Sequence, residues 1–158
     1  ELPVRTKSNN AHAYLGAPYG IYKTKDGFLA LAMGSIPVLA ELLQCSELLL
    51  FPENTFELRN DIKKVLATHL KTQTTTFWLA ILEPADIWCA KVLNYEELFK
   101  EEGFKVLDFI QKVTMGDGYS FETTRCPIKI DGELLTSNIG SPKLGEHNKK
   151  ILDELINI

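Results

Sequence analysis

The sequence has few of the residue patterns that disclose a chemical site. Its 158 residues include three cysteines, Cys45, Cys89 and Cys126, which stand far apart and form no C-x-x-C pair. It has no zinc-ligand spacing, no phosphate-binding glycine loop and no nucleophile elbow. An odd number of cysteines does not make a disulfide framework, so we expect a reducing, cytoplasmic setting.

Long apolar runs are also missing. The two most apolar stretches, 28–43 and 46–51, are interrupted by Gly34, Pro37 and charged residues well short of a membrane span. The chain starts at Glu1 rather than Met, and its polar beginning has no apolar region of the kind that signal peptides carry. We therefore expect a soluble protein with no membrane partner, and a fragment of a longer chain.

The sequence has fewer basic than acidic residues. With 17 basic against 21 acidic residues the net charge is −4, a balance that repels nucleic acid, so we expect no nucleic-acid partner. The short basic clusters Lys63–Lys64 and Lys149–Lys150 lie among carboxylates in helical patterns. We interpret them as solvated helix faces.

The first half of the chain predicts a hairpin followed by helices. Two strand-like runs flank Asp26 and Gly27, a dipeptide that accepts the positive backbone angles of a tight turn. Ser35 can cap the next helix, with Pro37 in its first turn, and Asn54 or Thr55 can cap a second one. The apolar positions predicted for the two helices are Val38, Leu39, Leu42 and Leu43, then Leu58, Ile62, Val65 and Leu66.

His69 lies near the apolar stripe of the second helix. With no Cys or His neighbour it is typical of a packed histidine that has one nitrogen hydrogen-bonded. A third helix is predicted through "TFWLAILE" and ends near Pro84. The segment 86–92 then reads as a strand, in which Cys89 is expected to act as a small hydrophobe.

The second half predicts another hairpin between helices. Asn94 and Glu97 form a capping-box pattern for a fourth helix, which Gly103 is expected to close. Residues 104–130 alternate around "GDG", as a second hairpin would. A last helix follows Pro142, with apolar positions Ile151, Leu152, Leu155 and Ile156. The sum is an α+β fold in which antiparallel hairpins pack with several short helices.

Two acidic pairs and one Glu–His pair could suggest acid/base chemistry. The pairs Glu96–Glu97 and Glu101–Glu102 belong to a short, charge-rich helix, and we interpret them as caps and a solvated face. Glu146 and His147 stand together at the mouth of the last helix. A carboxylate there complements the positive end of the helix dipole, so helix initiation explains this pair.

The segment "AYLGAPYG", residues 13–20, differs in composition from the rest. It combines two glycines, a proline and two tyrosines just before the first strand. Such a loop can bring backbone close to a ligand. It can equally be an ordinary connector into the hairpin, which composition alone favours.

Three blocks follow one another along the chain: "APYGIYKTKDGFLALAMG", "FWLAILEPADIWCAKVLNYEELF" and "SPKLGEHNKKILDEL". The first resembles the P-x-x-x-Y-x-T-x-D-G block of the family III CoA-transferases of the CaiB/BaiF type, the second their tryptophan-bearing helix with the strand and helix that follow it, and the third their closing block. This family includes formyl-CoA transferase, carnitine CoA-transferase and α-methylacyl-CoA racemase. Trp88 stands where the family usually has proline, and Asn148 where it usually has threonine.

The resemblance implies a transferase whose catalytic aspartate lies upstream of this chain. That aspartate forms an aspartyl anhydride and then an aspartyl-CoA thioester, so we expect no catalytic residue, metal or bound cofactor here. The substrates would be a coenzyme A thioester and a carboxylate, and the full-length protein an interlocked homodimer. By position, an active-site loop would comprise Tyr14, Gly16, Pro18, Tyr19 and Gly20.

The resemblance also implies a domain layout. Residues 1–20 would be a linker and interdomain loop, 21–126 a small α+β domain, and 127–158 a segment that returns toward the large domain. Two alternatives remain open: an acyl-CoA racemase of the same family, or a non-catalytic binding module derived from it.

Overall fold

The computed structural model of the protein describes His12, residues 14–51 and residues 56–156. The chain divides into two units between Leu93 and Asn94. Both units combine short helices with antiparallel strand pairs, which confirms the α+β fold class. The predicted domain boundaries after residues 20 and 126 concern the full-length protein and stay predictions.

The first unit is built on a three-stranded antiparallel sheet in the order β1-β2-β3. Its elements, in chain order, are β1 (Gly20–Lys23), β2 (Phe28–Leu31), α1 (Ile36–Leu42), a 3₁₀ helix (Ser46–Leu50), α2 (Arg59–Leu70), α3 (Thr75–Leu82) and β3 (Cys89–Lys91).

One face of this sheet is covered by the helices. Strand residues alternate between the two faces of a sheet, and Tyr22, Leu29 and Leu31 point into the core. The helices contribute buried apolar side chains to the same cluster: Ile36, Leu39, Leu43, Leu48, Ile62, Leu66, Leu70, Trp78 and Leu82. The opposite face of the sheet leaves Ile21 and Phe28 about half exposed.

The first hairpin forms as predicted, but its turn requires glycine for a reason other than the predicted backbone angles. Neither Asp26 nor Gly27 has a positive φ, so the predicted backbone angles are wrong. The Thr24 N–H donates to the Gly27 carbonyl (3.0 Å), and the Gly27 N–H donates to the Thr24 hydroxyl (3.0 Å). A Cβ on Gly27 would stand 3.3 Å from the Thr75 Oγ1. Glycine is favoured here because helix α3 packs closely on the turn.

The predicted caps of the early helices are partly confirmed. Ser35 occupies the N-cap of α1, with Pro37 in the first turn, although its side chain makes no capping hydrogen bond. Val38 is 44% exposed, so its predicted place in the core is wrong, since the buried stripe runs through Leu39 and Leu43 instead. The proposed caps Asn54 and Thr55 lie outside the described residues, and α2 begins after Leu58.

Helix α2 holds one confirmed and one wrong prediction. The His69 Nε2 lies 2.8 Å from the Leu43 carbonyl oxygen, which confirms a packed, hydrogen-bonded histidine. Lys63 is fully buried rather than solvated, whereas Lys64 is exposed. Ile62 and Leu66 are core residues of the same helix. Lys63 is therefore covered by packing together with the core residues of α2. The local charge pattern alone did not indicate this.

The predictions around α3 and β3 are confirmed. Thr74 caps α3 by accepting a hydrogen bond from the Phe77 N–H (3.2 Å). The Trp78 indole N–H donates to the Leu70 carbonyl at the end of α2 (2.8 Å), which satisfies one of that helix's unpaired carbonyls. The strand predicted over 86–92 is β3, hydrogen-bonded to β2.

The second unit follows the predicted order with two additions, one short helix and one short strand pair. Its elements are α4 (Tyr95–Leu98), α5 (Glu102–Val106), β4 (Ile110–Thr114), β5 (Ser120–Thr124), β6 (Lys129–Ile130), β7 (Glu133–Leu134) and α6 (Asn148–Ile156). The additions are helix α5 and the strand pair β6–β7. The capping box of Asn94 and Glu97 is present, with both hydrogen bonds made. Gly103 does not close α4 but lies inside α5, because the chain turns at Glu101 and starts a new helix.

Arg125 organises the small core of the second unit. Its side chain is buried, and its guanidinium donates to the carbonyls of Asp108 (2.7 Å), Cys126 (2.6 Å) and Leu107 (2.6 Å). It also stacks over the Phe109 ring at 5.3 Å. The guanidinium thus ties the end of α5 to the end of β5.

Helix α6 keeps its apolar positions exposed. Ile151, Leu152, Leu155 and Ile156 are each more than half exposed. The described part of the chain contains no helix with the length and apolar content needed to cross a membrane.

Candidate functional site

The predicted active-site loop is anchored at its second half. The Tyr22 hydroxyl, buried in the core, donates to the Pro18 carbonyl at 2.5 Å. Burial raises the pKa of Tyr22 far above its ordinary range, so the phenol remains a proton donor. Pro18 and Gly20 are buried, Gly16 and Tyr19 are half-buried, and Tyr14 is 66% exposed. The loop is therefore held at Pro18 and open to solvent at Tyr14.

A groove of about 910 Å³ lies beside the end of this loop. Its lining includes Tyr19 from the loop and Ile21, Ala30 and Ala90 from the three strands. The last three are direct neighbours across the sheet, on the face that the helices leave uncovered. Small alanine side chains leave room above the sheet, and this room is the groove.

Trp88 adds a large aromatic side chain to the groove. The residue precedes β3, where its carbonyl accepts a hydrogen bond from the Ala32 N–H (2.8 Å), and its side chain is 65% exposed. An exposed indole next to Ala30 and Ala90 presents an apolar ring to a ligand that enters the groove.

The charged groups in the groove are mainly acidic. Glu83 and Asp86 line it and are exposed, and His12 lines it as well, but no lysine or arginine among the described residues does. Burial raises the pKa of the Cys89 thiol, and the Glu83 carboxylate adds to this effect. Cys89 therefore stays a neutral thiol at physiological pH, which agrees with its predicted role as a small hydrophobe.

Comparison with known proteins places this arrangement in a family. A sequence model described as CoA-transferase family III matches residues 2–148. The chain belongs to CoA-transferase family III. The match covers the first two blocks that carried the resemblance and the first half of the third, and it includes the candidate loop and the groove.

Two curated relatives of this family III chain show how much of a complete protein it spans. It is 27% identical over 95 residues to the (R)-2-hydroxy-4-methylpentanoate CoA-transferase of Clostridioides difficile, covering 60% of this chain and 24% of that protein. It is 21% identical over 147 residues to the mouse succinyl-CoA:glutarate CoA-transferase, covering 88% of this chain and 34% of that protein. The chain thus spans about a third or less of these relatives.

Solved structures agree with the family III fold. A CAIB/BAIF family protein from Brucella suis is 25% identical, with a TM-score of 0.58 over 89% of this chain and 38% of that one. Rv3272 from Mycobacterium tuberculosis, at 17% identity, has a TM-score of 0.58 over 87% of this chain and 40% of its own. The second likeness supports the fold alone.

The Glu146–His147 pair has a structural role in this family III chain. The Glu146 carboxylate accepts a hydrogen bond from the Lys143 N–H (2.6 Å), and a Cβ on Gly116 would stand 2.8 Å from its Oε1. Lys143 in turn pairs with Asp117 at 3.2 Å. The closing block therefore folds onto the turn of the second hairpin, and α6 begins directly after His147.

The other acidic pairs show no convergence into a site. Glu97 completes a capping box, and Glu101 occupies the N-cap of α5. Among the described residues no group of three or more His, Cys, Asp and Glu side chains could hold a metal ion.

Sequence reasoning missed the groove. Its signals were present: Ile21, Ala30 and Ala90 are small or apolar residues at the outward positions of three strands, and Trp88 replaces a proline of the family pattern. These signals did not identify the groove, because the pairing of β2 with β3 joins segments about sixty residues apart, and local periodicity does not reveal which strands become neighbours.

Proposed function

We propose that the full-length protein is an acyl-CoA transferase that moves CoA between carboxylic acids, and that this chain is its C-terminal part. The family III match over residues 2–148 carries the proposal. The relatives described above are themselves CoA-transferases by name, and each is much longer than this chain. A catalytic domain would lie in the part of these relatives that this chain does not cover.

The proposed reaction uses a catalytic aspartate in that N-terminal domain. Its carboxylate attacks the carbonyl carbon of the acyl-CoA, the C–S bond breaks, and CoA leaves as a thiolate from an acyl-aspartyl anhydride. The thiolate then attacks the aspartyl carbonyl, which releases the first carboxylic acid and leaves an aspartyl-CoA thioester. The acceptor carboxylate repeats the two steps in reverse order and departs as the new acyl-CoA.

The chain described here would contribute the active-site loop. Anhydride and thioester intermediates are sensitive to water, so a segment that closes over them protects the reaction. The hydrogen bond from Tyr22 to Pro18 supports this role because it holds the second half of the loop, while Tyr14 in the first half is 66% exposed to solvent.

The substrates are an acyl-CoA thioester and a carboxylate, the full-length protein is an interlocked homodimer, and it works in the cytoplasm. Since the resemblance assigns CoA binding mainly to the large domain, the isolated chain should bind CoA weakly or not at all. It should hold no cofactor of its own.

Mass spectrometry of the full-length protein incubated with acyl-CoA tests the proposal. We expect a covalent CoA adduct that hydroxylamine removes, because hydroxylamine cleaves thioesters. Exchange of the α-proton with solvent deuterium and no adduct would instead identify a racemase of the family. Neither adduct nor exchange, across a panel of acyl-CoA thioesters, would leave the non-catalytic binding module as the function.

A further inference from the structure

The groove on the open sheet face has a largely apolar and aromatic lining, unlike a site for charged ligands. Its lining includes Ile21, Ala30 and Ala90, which are neighbours across the sheet, and the aromatic residues Tyr19 and Trp88. A lining of this kind favours burial of an apolar group by the hydrophobic effect.

The charges of the groove narrow the class of ligand further. Glu83 and Asp86 would repel phosphate or a second carboxylate, and no lysine or arginine among the described lining residues offsets them. A group that enters the groove should therefore carry no negative charge at its inner end. The phosphates of CoA and the distal carboxylate of a dicarboxylic acid both fail this condition.

The position of the groove connects it with acyl transfer. Tyr19 and Gly20 line the groove and also end the candidate active-site loop. A ligand whose apolar end lies over Ala30 and Ala90 can therefore keep its other end beside the loop.

We infer that the groove holds the apolar chain of a monocarboxylate substrate, with its carboxyl or thioester end directed to the loop, and that Trp88 determines the preference for such substrates. The inference rests on the transferase function proposed above and adds a substrate class to it: branched aliphatic or aromatic monocarboxylates, and not dicarboxylates.

Quenching of Trp88 fluorescence in the full-length protein tests occupancy. The Trp88 signal is the part of the emission that Trp88→Phe removes; the chain's other tryptophan, Trp78, is 3% exposed. Acrylamide should quench this signal in the free protein, and 4-methylpentanoate or 3-phenylpropionate should protect it, whereas succinate, glutarate and CoA alone should not. Protection by CoA or a dicarboxylate would overturn the inference. A signal already protected without ligand would also overturn it, since another segment or a second copy would then cover the groove.

Kinetics with matched variants test specificity. Trp88→Ala should raise KM about tenfold for the bulky monocarboxylates and leave that for acetate nearly unchanged, since loss of apolar contact penalises the larger chain. Phe28→Ala is the control: Phe28 lies on the same sheet face, is 47% exposed and does not line the groove. Equal effects of the two variants, or no effect of Trp88→Ala, would overturn the role of Trp88.

A charge reversal tests the exclusion of dicarboxylates. Glu83→Lys should raise kcat/KM for glutarate relative to 4-methylpentanoate by about tenfold, because it replaces repulsion by attraction. Glu96→Lys, on the exposed first turn of α4, makes the same charge change outside the groove and should leave the ratio unaltered. A preference of the unaltered protein for glutarate would overturn the inference. If no transfer is found with any substrate, the proposed function fails, and the quenching result still decides what occupies the groove.

Discussion

The carboxylate of Asp26 accepts hydrogen bonds from both donors of Thr75, forty-nine residues away in the sequence. Its Oδ1 accepts one hydrogen bond from the Thr75 backbone N–H (2.8 Å) and another from the Thr75 hydroxyl (3.1 Å). Thr75 is the first residue of α3, so the turn of the first hairpin acts as a carboxylate cap for that helix. This contact joins two parts of the family's sequence pattern, the D-G turn and the tryptophan-bearing helix.

Asp26→Asn should weaken this contact in a pH-dependent way. Hydrogen bonding from the Thr75 backbone lowers the pKa of Asp26, so its stabilising effect is present above the pKa of the unfolded state, about 4. The effect is lost as pH falls through the still lower folded-state pKa. Hydrogen exchange at the Thr75 amide should therefore be faster in Asp26→Asn at neutral pH, and the difference should vanish in strong acid. A difference that is constant with pH would contradict this account.

Tyr22→Phe should loosen the loop as well as the core. The substitution removes the hydroxyl that donates to Pro18 and leaves a buried carbonyl without a partner, at a cost of about 1–2 kcal/mol in the free energy of unfolding. Hydrolysis of the acyl-CoA should rise relative to transfer, because a mobile loop admits water. Denaturant unfolding and thioester hydrolysis measure the two effects. Tyr119→Phe, with a ring 64% exposed, should change neither.

Gly16→Pro should impair the candidate loop from its solvent-facing half. Proline fixes φ and removes the backbone N–H, so a loop that must move to close would lose that freedom. We expect slower turnover and more thioester hydrolysis in the full-length protein, with Gly16→Ala milder. If Gly16→Pro leaves both rates unchanged, the loop is only a connector into the hairpin.

Arg125→Met should unfold the second unit selectively. Three carbonyls, those of Leu107, Asp108 and Cys126, would lose their charged donor, and we expect a loss of about 3 kcal/mol in the free energy of unfolding of this unit. Hydrogen exchange of β4 and β5 should quicken while that of α2 stays the same. Lys129→Met removes an exposed cation from the same unit and should have little effect.

Lys63→Met should stabilise the protein at neutral pH. Burial lowers the pKa of Lys63, the charge of Arg59 lowers it further, and Nζ has no hydrogen-bond partner among the described residues. Between the folded-state pKa and that of the unfolded chain, about 10.4, the unfolded state binds more protons, so stability rises with pH there. The gain from Lys63→Met should therefore shrink as pH approaches this upper value.

The neighbouring Lys64→Met is the matched control for that prediction, since Lys64 is exposed on the same helix. Thermal unfolding across neutral to alkaline pH should show no such trend for it. A lower melting temperature for Lys63→Met at neutral pH would show that the ammonium is satisfied in the native protein.

Much of the fold was predictable because its causes are local. The capping box of Asn94 and Glu97, the N-cap at Ser35 and the end of α3 before Pro84 depend on residues within one helical turn of each other. The candidate loop was proposed from the family resemblance, since composition alone favoured an ordinary connector. The hydrogen bond from Tyr22 that anchors the loop at Pro18 was not predicted, because the core position of the Tyr22 hydroxyl depends on how the sheet and the helices pack.

Local sequence was thus sufficient for the order of most helices, for the two longer hairpins and for the family blocks, since periodicity and capping act over a few residues, but it did not predict α5 or the β6–β7 pair. Tertiary structure decided which surfaces are covered. It buried Lys63 and Arg125, exposed Val38, used Gly27 for close approach rather than for a positive φ, and left the sheet face of Ile21, Ala30 and Ala90 open beside Trp88. Burial depends on segments distant in sequence, so a side chain's own neighbours along the chain do not report it.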